Sequence, residues 1–279
     1  MTATIATKKL SASVGAEVLD VDRDRLLGDP DLPEGLLDAL EEHGVLVFPE
    51  IGVDDEEQVA FGHRLGELVA RPGYPIPEIN VITQTPDNPM AEYLKGNAQW
   101  HIDGALDDIP SKAGILSARV ITAGDSGTEF ASTYAAYDDL GDDEQEHLAG
   151  LRVVHTMEAT LREVYDDPTP EQLATWRQRR PREHPLVWQR RTGRKSLVLG
   201  ATADYVVDMD LEEGRALLAD LVRRATRPER VARHDWTVGD LVIWDNTGVL
   251  HRVTGHNPAS TRELHRATLV GDEPVTPTA

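Results

Sequence analysis

The apolar residues of this chain fall in short runs, and none approaches the 18 residues that a membrane-spanning helix needs. VLVFPE (45–50), KAGILSARVI (112–121), DLVIWDN (240–246) and RELHRATLVG (262–271) each read as one strand. HPLVWQ (184–189) and KSLVLG (195–200) flank a Thr192-Gly193 turn and read as a hairpin. Helical periodicity lies between these runs. PEGLLDALEEH (33–43) opens with Pro33, spaces its apolar residues along one face and stops at Gly44. DDEEQVAFGHRLGEL (54–68) begins with acids that complement a helix N-terminus. Further helices are expected within 133–151, at 169–180 and at 211–226. Residues 70–99, rich in Pro and Asn, fit no period and read as a long functional loop that forms part of a lid. The tail DEPVTPTA (272–279) is expected to fray.

Many short strands, interrupted by helices in two or three places, do not alternate as βαβ units. The pattern predicts a mainly-β fold with inserted helices, a β-sandwich or jelly roll carrying helices on one side. No shift of composition marks a linker, so residues 1–279 read as a single domain. The chain contains no Cys, which fits a reducing compartment, and its start, MTATIATKKLSASVGAEV, lacks the apolar segment of a signal peptide. A soluble, cytoplasmic protein is expected. The 49 acidic residues against 28 basic ones give a net charge of −21, a field that repels nucleic acid and anionic membrane. Neither is an expected partner.

QWHIDGAL places His101 and Asp103 two residues apart, and in a strand both side chains leave the same face. His251, in WDNTGVLHRVTGH, is the best candidate for a third metal ligand. Two imidazoles and one carboxylate on one face of an octahedron leave three positions open, the ligand set of non-haem Fe(II) oxygenases. Alone the signal is weak. With 10 His and 49 acids an H-x-D pair arises easily as a solvated loop pair, and a His late in a strand is more often a packing residue. Arg262 and Arg266 add weight. In an extended strand Arg262, Leu264, Arg266 and Thr268 face one way, and guanidiniums on an inward face are costly unless each meets an anion. A guanidinium grips a carboxylate with two parallel hydrogen bonds. The alternative is an outer face on which the arginines pair with Glu263 or Asp272.

Seven blocks now stand in order: VGAEV, HGVLVF, WHIDG, ILSARVITAGDSGTEFASTYAAYDDL, HPLVWQRRTGRKSL, GDLVIWDNTGVLHRV and RELHRATLVGD. In sequence and spacing, through nearly the whole chain, they resemble the taurine dioxygenase and 2,4-dichlorophenoxyacetate dioxygenase family of Fe(II)/2-oxoglutarate-dependent oxygenases. The ILSAR…GTEFA…AAYD block is more similar to the phenoxyacetate branch. The resemblance implies a double-stranded β-helix (jelly roll) with His101, Asp103 and His251 as iron ligands. It implies Thr128 and Arg262 on the distal carboxylate of 2-oxoglutarate, and Arg266 on the anionic end of the prime substrate. It also implies substrate contacts for Asn97 and Tyr74. Arg71 stands where taurine dioxygenase has a substrate-binding histidine, a departure that argues against taurine. Trp100 and Trp244 are expected as packing residues, and His256 and His265 as non-ligands.

The expected activity consumes Fe(II)-bound 2-oxoglutarate and O₂, releases succinate and CO₂, and hydroxylates a small anionic molecule. Bond cleavage would follow where the hydroxylated carbon bears a heteroatom. Asp103 argues for oxygenation over halogenation, because related halogenases lack that carboxylate. The resemblance also implies a homo-oligomer, a dimer or tetramer. Two rivals use the same residues: a non-catalytic jelly roll that binds a metal or small acid, and a Zn(II) hydrolase. Consumption of 2-oxoglutarate and dependence on O₂ separate both from an oxygenase.

Overall fold

In the computed structural model, which describes residues 5–83, 94–122, 124, 127–255 and 260–278, the strands are short and the helices lie between them. The chain begins with β1 (Thr7–Lys9), β2 (Ala16–Val18), α1 (Arg23–Gly28), α2 (Leu32–His43), β3 (Val45–Phe48) and α3 (Asp55–Leu65). Then come β4 (Asn80–Thr83), β5 (Ala113–Val120), β6 (Thr128–Ser132), α4 (Thr133–Asp138) and α5 (Asp142–Ala149). β7 (Arg152–His155), α6 (Met157–Arg162), α7 (Pro170–Trp176), β8 (Arg182–Pro185), β9 (Val187–Gln189) and β10 (Lys195–Leu197) follow. β11 (Ala203–Val206), α8 (Leu211–Ala225), β12 (Val231–His234), β13 (Leu241–Asp245), β14 (Val249–Val253) and β15 (Glu263–Leu269) complete the order. No helix among the described residues is long and apolar enough to cross a membrane.

Local signals account for the early helices. α2 carries Pro33 in its first turn and ends at Gly44, whose φ of 71° suits glycine and whose N–H bonds the Leu40 carbonyl. α3 starts with a capping box between Asp54 and Glu57.

Seven strands form one sheet in the order β1-β2-β3-β13-β5-β15-β4, in which only β2 and β3 run parallel. A second sheet has the order β12-β6-β14. The central strands of the larger sheet are apolar on both faces, and the alternation of β13 shows why. Leu241 and Ile243 pack with Leu26, Leu36 and Phe61 of α1, α2 and α3. Val242 and Trp244 point the other way, to Phe130 of β6 and Val249 of β14. The smaller sheet therefore lies across from the larger one. Its outer face, at Ala131 and Leu250, packs with Ala136 of α4 and Leu218 of α8. Mainly-β architecture with inserted helices is the result. Gln58, fully buried on α3, donates to the carbonyls of Ile115 and His265 and so pins that helix to β5 and β15.

Several expected elements change. The 70–99 segment is not wholly a loop, because Asn80–Thr83 pairs with β15; residues 84–93 of it lie outside the described residues. Four residues carry too little periodicity to announce a strand, and the partner strand decides. The two helical segments expected within 133–151, TYAAYDDL and DDEQEHLAGL, are separate helices that meet near Gly141. The hairpin is β9 with β10 around the expected turn, while His184 belongs to β8, paired with β7.

The tail does not fray through its described residues. Glu273 is 4% exposed and pairs with Arg190, itself 8% exposed. Tyr134 accepts a further hydrogen bond from Arg190 at 2.5 Å, and the Thr276 carbonyl accepts one from the Gln189 N–H at 3.0 Å. A buried guanidinium needs a nearby anion, and the tail supplies it. Glu273→Ala is therefore expected to lower unfolding stability by about 3 kcal/mol, as for one partner of a buried ion pair. Urea denaturation reads this directly, and a change below about 0.5 kcal/mol, typical of a neutral surface substitution, would deny the tail that role.

Candidate active site

His101 and His251 exchange two backbone hydrogen bonds, His101 N–H to the His251 carbonyl at 3.0 Å and the reverse at 2.9 Å. On its other side His251 lies opposite Phe130 in the β14–β6 register. This brings the two imidazoles to a centroid separation of 4.2 Å. QWHIDG is not the strand that was expected. His101 makes a single bridge and Asp103 opens a turn, yet the turn returns the carboxylate to the imidazoles. One ligand atom from each of His101, Asp103 and His251 lies within 4.8 Å of the others.

Neighbouring groups hold each of the three. His101 Nδ1 is 2.8 Å from the Gln99 carbonyl, which places the ring proton on Nδ1 and leaves the Nε2 lone pair for a metal. Asn246 Oδ1 accepts from Trp244 Nε1 at 2.9 Å and from the Asp103 N–H at 3.4 Å. The Trp244 indole also lies 4.8 Å from the His251 ring, centroid to centroid. Behind His101 stands Gly200, with φ of +113°; a Cβ there would come within 2.8 Å of the Trp100 carbonyl oxygen and 3.0 Å of His101 Cα. Only glycine lets the chain pass so close.

Burial works against charge on Asp103, but Arg266, His251 and His101 hold its carboxyl at about 2, so it is ionised. Arg266 is the nearest cation, with Nη1 at 3.2 Å from Asp103 Oδ2. Burial, with His101 beside it, pushes His251 down to about 3, so its ring is neutral. The 3.7 Å contact between His251 Nε2 and Asp103 Oδ2 is therefore not an ion pair. Nitrogen lone pairs and one carboxylate, converging without protons between them, suit a divalent transition metal.

A cavity of about 530 Å³ opens at this point. Its wall includes His101, Asp103 and Arg266 together with Asn97, Tyr74 and Arg71, so the expected substrate residues do border one space. Tyr74, at 48% exposure, stands toward solvent. Thr128 and Arg262 are not part of that wall. Thr128 is buried on β6, where its Oγ1 accepts from Trp236 Nε1 at 2.9 Å. Arg262, 2% exposed, immediately precedes β15. The acids proposed for an outward-facing arrangement have other partners: Glu263 lies 3.0 Å from His265 Nε2 and Asp272 lies 2.8 Å from Lys112 Nζ. His265 also contacts Asp55 at 2.6 Å, and His256 lies outside the described residues. Trp100 and Trp244 are buried, as packing residues should be, though the Trp244 N–H has the polar task given above. Sequence reasoning missed Asn246, Gln99 and Gly200. Asn246, in the turn of WDNTG before His251, carried the one readable signal: a polar residue between two apolar runs.

Comparison with known proteins identifies the family. Residues 6–268 match the profile of "Taurine catabolism dioxygenase TauD, TfdA family". The alpha-ketoglutarate-dependent 2,4-dichlorophenoxyacetate dioxygenase of Cupriavidus pinatubonensis is 33% identical over 285 residues, covering 96% of this chain and 98% of its own. The alpha-ketoglutarate-dependent sulfate ester dioxygenase of Pseudomonas putida is 30% identical over 275 residues, 95% of this chain and 89% of its own. The crystal structure of AAD-2 in complex with Mn(II) and N-oxalylglycine superposes with a TM-score of 0.83 at 32% identity, over 98% of this chain and all (100%) of that one. Matched along almost its whole length, the chain belongs to the TauD/TfdA family of Fe(II)- and 2-oxoglutarate-dependent dioxygenases.

Proposed function

We propose that this protein hydroxylates a small anionic organic molecule, with Fe(II) held by His101, Asp103 and His251. The observation that carries the reading is the convergence of those three ligand atoms, within 4.8 Å of one another, in a cavity that also presents Arg71 and Arg266. Fe(II) with 2-oxoglutarate supplies the oxidising chemistry: one atom of O₂ enters the substrate as hydroxyl and the other enters succinate, with release of CO₂.

The protein's own residues have narrower tasks. His101 offers Nε2 because Gln99 occupies Nδ1. Thr128 and Arg262 hold the distal carboxylate of 2-oxoglutarate. In support, Trp236 occupies a lone pair of Thr128, which leaves the hydroxyl proton to donate, and a guanidinium is shaped to grip a carboxylate with two parallel hydrogen bonds. Arg266 takes the anionic group of the prime substrate; a guanidinium has five N–H donors, and the Asp103 contact does not exhaust them. Arg71, Asn97 and Tyr74 shape the outer part of the cavity and set selectivity there. Relatives named for a phenoxyacetate and for sulfate esters support an oxyanion on the substrate. They do not favour a non-catalytic role.

The two facing sheets and the family suggest a jelly roll that spans residues 1–279 as one domain. By the same kinship the protein is a dimer or tetramer, and a chain without Cys accords with the cytoplasm.

Anaerobic addition of Fe(II) and 2-oxoglutarate should produce a visible charge-transfer band, and admission of O₂ with a fitting anion should yield succinate. Folded, iron-loaded protein with no band would remove this reading. Asp103→Ala is expected to abolish iron-dependent consumption of 2-oxoglutarate; near-normal turnover in that variant would sink the ligand assignment. Arg262→Ala is expected to weaken 2-oxoglutarate binding by roughly 2–5 kcal/mol, as for truncation of a buried charge pair. Titration of the band measures it, and an unchanged affinity would move that task to another residue.

A further inference from the structure

Two buried histidines outside the metal site each reach a residue of the cavity wall. His155, at the end of β7, and His184, on β8, are 0% and 4% exposed, with ring centroids 5.5 Å apart. His184 Nε2 lies 3.1 Å from the carbonyl of Ala105, in the turn that carries Asp103. His155 Nδ1 lies 2.9 Å from Thr202 Oγ1. Both Ala105 and Thr202 line the cavity.

The protons in this arrangement can be placed. Burial, with His184 beside it, pushes His155 down to about 3, so its ring is neutral and carries one N–H. Its Nε2 is buried and has no hydrogen-bond partner among the described residues. A buried N–H without an acceptor is rarer than an acceptor left unfilled, so the proton belongs on Nδ1 and is donated to Thr202 Oγ1. One lone pair of the hydroxyl is then taken, and its own proton is left to donate elsewhere. Thr202 cannot drift from the metal site either. The Ala201 N–H bonds the Trp100 carbonyl and the Thr156 N–H bonds the Thr202 carbonyl, both at 2.8 Å, while Gly200 packs beneath His101.

We propose that Thr202 is a substrate-contacting specificity residue whose hydroxyl, turned by His155, donates a hydrogen bond to an oxygen of the prime substrate. The acceptor is a carboxylate, sulfonate, sulfate or ether oxygen, and His155 is a positioning residue. The proposal rests on reading this cavity as the prime-substrate site.

Imidazole ¹⁵N spectroscopy of the metal-free protein tests the first half without any ligand. His155, assigned by its loss in His155→Asn, should show protonation at Nδ1, and an Nε2-protonated ring would overturn the proposal. The second half uses the anaerobic Fe(II)·2-oxoglutarate complex and two probes, 2,4-dichlorophenoxyacetate and hexyl sulfate, followed by the shift of the charge-transfer band. Thr202→Val should weaken binding of a responding probe about tenfold or more, the effect of losing a hydrogen bond to a charged group. Affinity for 2-oxoglutarate should not change, and Thr202→Ser should restore the probe. His155→Leu should lose part of the same affinity, His155→Asn, which keeps a donor, should regain it, and His155→Leu with Thr202→Val should be no weaker than Thr202→Val alone. Probe binding unchanged in Thr202→Val removes the role of Thr202 and leaves the cavity's function standing. Failure of both probes on the parent protein, with the band formed normally, removes the reading of the cavity and this proposal with it.

Discussion

Two backbone hydrogen bonds between His101 and His251 tie the loop before β5 to β14, and everything the site does is built on that tie. Two such bonds contribute only about 1 kcal/mol each, so they persist because the surroundings leave no better arrangement. Gly200 permits the close approach on one side, and Phe130 in β6 backs His251 on the other. Trp244 then lies against His251 while its N–H holds Asn246, and Asn246 takes the backbone of Asp103. Ligands from two distant parts of the chain are thus oriented by one short stretch, Trp244 to His251. A metal placed among them meets groups already aimed, which limits the ordering that binding must impose.

Electrostatics at this point run against the protein as a whole. A net charge of −21 would repel the anions that the relatives are named for, yet the cavity presents Arg71, Arg179 and Arg266. Screening resolves the conflict, because charges beyond about 8 Å are weakened at physiological salt while contacts inside the cavity are not. Arg179 pairs with Asp107 and stands half-exposed, so it holds its place loosely. Arg266 is held more firmly by Asp103, and the same contact keeps Asp103 ionised although it is enclosed.

How much of this could be read from the sequence depended on how far each signal reached. Gly44 and the acids that open 54–68 act within a few residues, and the helix bounds they predicted were close. The run LVIW was legible as a strand because it is buried on both faces. Asn80–Thr83 was not, since its strand character comes only from β15, far along the chain. The tail failed for the same reason: nothing near Glu273 in sequence announces that it answers Arg190. At the site, the residue types His101, Asp103, His251 and Arg266 were legible. The strand assumed to align the first two was not there, and a turn followed by a bridge does that work. Groups that act through a carbonyl or a missing Cβ, such as Gln99 and Gly200, leave no mark in composition.

The order of the larger sheet has a consequence for synthesis on the ribosome. β15 lies between β5 and β4, both made long before it, and Glu273 follows it into the interior. During translation β5 therefore waits with both edges unpaired until β13 is made, and with one unpaired until β15 is made. His101, Asp103 and His251 are all synthesised by residue 251, but the strand that brings Arg266 beside Asp103 is not. The larger sheet is therefore incomplete until β15 has been made. A net charge of −21 favours solubility while that edge stays open.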